Sequence, residues 1–336
     1  MATADQLKAL LRSYSTGDDD LFRSVALQIA AHQAGKGNER LAKELREIID
    51  NAKQVQKRAQ QPAGRPQAVP IARPSGELSG LILASYPSTR LSDMILSDHV
   101  RDAIGEIVHQ QRQRELLRSH GLAPKRKLLL VGPPGCGKTM TASVLAGECQ
   151  LPLLFVQLHS LISKYMGETA AKLHLVFDAM SETRGVYLFD EFDAIGATRT
   201  ARNDVGEIRR VLNSFLQFLE RDDSDSLIVA ATNFGDMLDD ALFRRFDEVI
   251  TYELPDDNLV RQLIQNRLSM FDLEEIEWEG VSIAARGLSH AEVARSCDDA
   301  ARNAVLSGKG RVGNVSLSSS MKRRGGMRSS MRRKNQ

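Results

Sequence analysis

The stretch LLLVGPPGCGKTMTA, residues 128–142, constrains the chain more than any other. Apolar residues of strand character give way to glycines and prolines, and an alanine-rich helical pattern follows. Gly132, Gly137, Lys138 and Thr139 fit the phosphate-binding loop pattern G-x-x-x-x-G-K-[ST], in the strand-then-helix setting that such a loop needs. The candidate cradle is Pro133, Pro134, Gly135, Cys136, Gly137, Lys138, Thr139 and Met140. Its glycines let the backbone approach phosphate oxygens where a side chain would block the way. The helix that starts near Lys138 adds unsatisfied N–H groups and a positive dipole end. Lys138 is placed to reach the outer phosphates, and Thr139 to set its hydroxyl on Mg²⁺.

Three more stretches gain meaning from that loop. GVYLFDE, residues 185–191, delivers Asp190 and Glu191 at the C-terminal end of a strand, where ligands sit in open parallel sheets. There Asp190 would support the Mg²⁺ shell, and Glu191 would orient and deprotonate an attacking water. SLIVAATN, residues 226–233, ends in Asn233, whose uncharged amide can hold a water or a phosphate without adding to the carboxylate charge. DDALFRRFDEVI supplies Arg244 and Arg245, candidates for stabilising charge on a transferring phosphoryl group. Standing alone, each of these is an ordinary turn or solvated surface pair.

The short apolar runs KLLLVG, LPLLFVQL, GVYLFDE, SLIVAATN and EVITYEL alternate with helical patterns. The expected fold class is therefore α/β, with a parallel sheet sandwiched by helices. Ahead of it, residues 1–56 place apolar side chains at three- and four-residue spacing, as in Leu41, Leu45, Ile48 and Ile49, and are expected to form a small helical, partner-binding module. Residues 57–84, with Pro62, Pro66, Pro70 and Pro74, read as a linker. The large α/β domain is expected over 85–254 and a helical lid over 255–312. Residues 313–336 read as a disordered basic tail, because the last twenty residues hold seven Lys or Arg and no acid. The rest of the chain carries 38 basic against 43 acidic groups, so the body is mildly acidic. Three unpaired cysteines suggest neither a disulfide framework nor a zinc site, and no apolar run is long enough to span a membrane. These features read as a cytoplasmic protein.

In order and separation, GPPGCGKT, VYLFDE, AATN, LFRRFD and GLSHAEVARSCDDAARNAV resemble the AAA family of ATPases, in the group with a second region of homology, across roughly Leu91 to Leu306. The resemblance implies ATP with Mg²⁺, hydrolysis, and a ring, typically a hexamer, in which Arg244 and Arg245 complete the neighbour's site. SKYMGET, residues 163–169, resembles a central-pore loop, which implies that Lys164, Tyr165 and Met166 grip a threaded polypeptide. Ile95 falls where relatives line the adenine pocket, and His290 with Ala291 falls at the lid turn beside the base. The short FRRFD resembles the severing and membrane-remodelling branch. The compact layout is also similar to bacterial ATPases paired with subtilisin-like serine proteases, which implies a partner protease and a role in defence. The resulting reading is a homo-oligomeric remodeller of a protein client. The alternatives are a nucleic-acid remodeller that uses the basic tail, disfavoured by the acidic body and a tail without interleaved aromatics, and an ATP-gated scaffold.

Overall fold

The computed structural model describes residues 74, 76–161, 166–192, 205–233, 240–273, 276–308 and 311–334. All fall in the second of the two units into which the chain divides, Ala72–Gln336. The helical module expected over 1–56 lies outside the described residues.

The larger part runs β1 (Ile82–Ser85), α1 (Asp98–Arg112), α2 (Arg114–Ser119), β2 (Lys127–Val131), α3 (Lys138–Cys149), β3 (Leu153–Val156), α4 (Leu158–Leu161), α5 (Met166–Glu182), β4 (Val186–Phe189), α6 (Val205–Arg221), β5 (Leu227–Thr232), α7 (Asp240–Phe243) and β6 (Glu248–Thr251). Its strands form one sheet in the order β1-β3-β4-β5-β2-β6. All neighbours are parallel except β1, which pairs antiparallel with β3. The chain leaves β2 for the far side of β5, so the loop after β2 opens at a switch point, where a crevice forms beyond the strands' C-terminal ends.

Alternation along the strands divides the core between two faces. Leu128 and Leu130 turn toward Ile104, Ile107, Val144 and Leu145 of α1 and α3, whereas Leu129 turns toward Tyr187, Phe189, Phe215 and Ile228 on the other side. The central strand β5 is buried throughout, as a strand covered on both faces must be.

A smaller helical part follows, with α8 (Asp257–Arg267), β7 (Asp272–Leu273), α9 (Trp278–Ala285), α10 (His290–Leu306), β8 (Arg311–Val312) and α11 (Asn314–Lys334). Two sequence expectations are corrected here. Residues 76–84, assigned to the linker, hold a 3-10 turn at Gly76–Gly80 and most of β1, because Leu81 and Ile82 are buried against the sheet's second face. Residues 314–334, assigned to a disordered tail, are helical. Leu317 and Met321 stand one helical turn apart and are fully buried with Ile264, Val281, Val293 and Cys297, so the start of the basic segment completes the lid's core.

Candidate active site

The loop between β2 and α3 is held from three sides. Its first residue, Gly132, donates from its amide to the Thr232 carbonyl on β5, 3.2 Å. A Cβ on Gly132 would stand 2.2 Å from the Tyr252 carbonyl oxygen, so only glycine lets the loop pass this close to the end of β6. Gly135, at φ +79°, presses on the lid: a Cβ there would lie 2.7 Å from Ser289 Oγ, and its carbonyl accepts from the Ala291 amide at 3.0 Å.

Lys138 is 6% exposed, and its ammonium donates to the carbonyls of Gly132 (2.6 Å) and Pro133 (2.9 Å) and to Asn233 Oδ1 (3.0 Å). The next residue, Thr139, donates from Oγ1 to Asp190 Oδ2 at 2.6 Å. The Glu191 amide donates to the other oxygen of that carboxylate, 2.9 Å, and Glu191 has a left-handed backbone at φ +52°. That conformation is strained for a residue with a Cβ, and such strain concentrates at functional positions.

These groups line a cleft of about 540 Å³ between the sheet and the lid. Pro134 to Met140, Asp190, Glu191, Asn233, Ile95, His290 and Ala291, all named from the sequence, line it. Pro133 contributes its carbonyl to Lys138. Arg244 is exposed and Arg245 pairs with Glu220 on α6; neither lines this cleft. Lys164 and Tyr165 lie outside the described residues, and Met166 is described only as the first residue of α5.

Beside the phosphate loop the cleft has an apolar part, with Met94, Ile95, Leu96, Leu263, Ala291 and Ala294 on its walls and the polar Asp93, Asn266 and Arg267 among them. Its first wall, the 91–96 segment, is fixed by Glu148, 15% exposed in the last turn of α3. Glu148 accepts from the Leu91 amide (3.0 Å) and from Arg112 (2.6 Å), with Arg90 at 3.5 Å. The Leu91 amide, aided by the two guanidinium groups, holds the Glu148 carboxyl below the usual carboxylate range. Behind the loop, the Thr141 and Tyr252 hydroxyls meet at 2.6 Å inside the core, and burial pushes the phenol's pKa up, so it stays neutral.

Sequence reasoning missed Glu148, Tyr252, Leu263 and Arg267, the last held at the cleft wall by Asp298 through bonds of 2.7 and 3.0 Å. Only Glu148 left a trace, because an acid in a helix's last turn opposes the helix dipole and calls for a cation nearby. The others are brought in by tertiary packing.

Comparison with known proteins fits this geometry. The family model of the "ATPase family associated with various cellular activities (AAA)" matches residues 128–254. An AAA family ATPase of Sinorhizobium fredii, y4kL, described as uncharacterized, is 34% identical over 307 residues, covering 91% of this chain and 90% of that one. The chain belongs to the AAA family of ATPases. It is thereby an enzyme of ATP hydrolysis. Other AAA relatives are similar over shorter shares. The ATP-dependent zinc metalloprotease FtsH of Acidothermus cellulolyticus is 33% identical across 66% of this chain but only 35% of its own length. The proteasome-activating nucleotidase of Saccharolobus solfataricus is 33% identical across 65% of this chain and 57% of its own. Among solved structures, the AAA domain of FIGL-1 superposes with a TM-score of 0.58 at 23% identity, covering 72% of this chain and 85% of that one, and so shares the fold. No helix among the described residues is long and apolar enough to cross a membrane.

Proposed function

We propose that this AAA ATPase assembles into a ring, typically of six copies, and uses ATP hydrolysis to remodel a protein client. The observation that carries the reading is the gathering of Lys138, the Thr139–Asp190 pair, Glu191 and Asn233 around one cleft that the chain's own Arg244 and Arg245 do not line. Lys138 binds the outer phosphates. The Thr139 hydroxyl and the Asp190 carboxylate are hard oxygen donors side by side, a set that suits Mg²⁺, which takes few protein ligands alongside phosphate and water. The ion, when bound, neutralises charge on the phosphates. Glu191 takes the proton of the attacking water, Asn233 orients that water or the terminal phosphate, and the apolar part with Ile95, His290 and Ala291 receives the base. Arg244 and Arg245 serve the neighbouring copy's cleft, so hydrolysis depends on assembly. Similarity to FtsH, named an ATP-dependent zinc metalloprotease, and to the proteasome-activating nucleotidase supports a polypeptide client gripped by Lys164, Tyr165 and Met166, with a protease as partner.

The test is the ATPase rate per subunit against protein concentration, with Glu191→Gln chains mixed in. Specific activity should rise with concentration and fall more than in proportion to the mutant fraction. Flat activity with proportional dilution would show independent subunits and end the ring mechanism.

A further inference from the structure

We propose that His290 is a base-reading residue: one of its ring nitrogens hydrogen-bonds the edge of the purine. The proposal rests on the reading of the cleft as a nucleotide site and goes beyond it, by assigning recognition of the base to a particular side chain.

His290 opens α10 and lines the cleft with Ile95, Leu96, Leu263, Ala291 and Ala294; the polar side chains on the same lining, Asp93, Asn266 and Arg267, make no hydrogen bond to it. Both ring nitrogens are shielded from solvent, and neither meets a hydrogen-bond partner among the described residues. Buried polar atoms left in that condition are costly, and those that persist call for an explanation in function. Burial pushes the imidazole below the ordinary histidine pKa, with Asp256 acting in the opposite sense, so the ring is neutral at pH 7 and presents one donor and one acceptor.

The ring is also held in place. Ser289 caps the helix with its amide and hydroxyl on Glu292 Oε2, at 2.7 and 2.9 Å, and the next residue, Ala291, is bonded to the Gly135 carbonyl at 3.0 Å. The imidazole is thus indexed to the phosphate loop: a ligand whose phosphates sit on the loop brings its other end to His290 at a fixed offset. An aliphatic ligand would leave the nitrogens unsatisfied. A flat heteroaromatic base has the apolar faces that the pocket walls match and the edge atoms that the imidazole lacks. The two ring nitrogens diverge, so the base engages one of them.

The test pairs residue deletion with ligand-atom deletion. Affinities of the full chain for ATP, for 7-deaza-, 1-deaza- and 3-deaza-ATP, which lack one ring nitrogen each, and for purine riboside triphosphate, which lacks the 6-amino group, are compared with those of His290→Ala and His290→Phe. Phenylalanine keeps the ring's bulk should alanine unfold the lid. Wild type should bind one analogue about three- to tenfold more weakly than ATP, the worth of one hydrogen bond. In the folded variants that penalty should shrink to about twofold or less. A penalty that persists in the variants, or no penalty in the wild type, overturns the proposal while the nucleotide site stands; failure of wild type to bind ATP at all overturns both.

Discussion

The two faces of the central sheet are filled with different material. Against α1 and α3 the core is aliphatic, built from Leu128, Leu130, Val144, Leu145, Val229 and Ile250, with one tyrosine whose hydroxyl is spoken for. Against α5 and α6 it is aromatic: Phe215 lies 4.8 to 5.8 Å, centroid to centroid, from Phe192, Phe189 and Phe177. Small residues on the first face let backbones close in. At Gly147 a Cβ would come within 2.3 Å of the Thr89 carbonyl, and Arg90 reaches the Gly147 carbonyl at 3.0 Å. Large rings on the second face bury area and interlock edge to face. The difference teaches a division of labour, in which the first face fixes the cleft's geometry and the second holds the fold together.

The largest effect should come from the aromatic face. Phe215→Ala removes a fully buried ring and should cost about 3–5 kcal/mol in denaturant unfolding, while ATP affinity of the folded protein changes less than about twofold. A matching loss of affinity would dissolve the division. On the other face, Thr141→Val strands the buried Tyr252 hydroxyl and should cost about 1–3 kcal/mol, whereas Tyr252→Phe leaves the Thr141 hydroxyl its second partner, the Gly137 carbonyl at 3.2 Å, and should cost less. Here ATP binding by Thr141→Val should weaken several-fold, read by titration below the unfolding temperature, because the Thr141 hydroxyl also donates to the Gly137 carbonyl in the loop. The smallest effect concerns Glu148. Its carboxyl is held below the ordinary value of 4.5, so the stabilisation it gives is present above that pH and is lost as pH falls through the lower, folded-state value. Between pH 7 and 4 the wild type should therefore lose about 2–4 °C more in Tm than Glu148→Gln, about 1 kcal/mol for a partly buried charged bond in a domain of this size. Equal losses would mean that the clamp on the 91–96 wall carries no net charge energy.

The sequence made some of this legible and hid the rest for physical reasons. Each apolar run became a strand, from Lys127–Val131 to Glu248–Thr251; the inner strands read most plainly, because a strand buried on both faces must be apolar along its length. The phosphate loop, Asp190, Glu191 and Asn233 were found from motif spacing and strand ends, which are local features, whereas Ile95, His290 and Ala291 were named only through the family resemblance. β1 escaped notice because four residues beside a proline-rich stretch give too little alternation to separate from a linker. α11 escaped because its charge outweighs two buried apolar residues in any windowed reading. The Thr141–Tyr252 bond joins positions 111 apart, and no local pattern announces a partner that the fold alone supplies.

The three acceptors around the Lys138 ammonium have a consequence of their own. They come from two separate places, the carbonyls of Gly132 and Pro133 at the loop's root and the Asn233 amide at the tip of β5. The ammonium is therefore a rivet as well as a charge, pinning the turn after β2 to the end of its neighbouring strand. Replacing Lys138 would remove a cation and at the same time loosen the seam between two strands, so a variant at this position reports on shape as much as on charge.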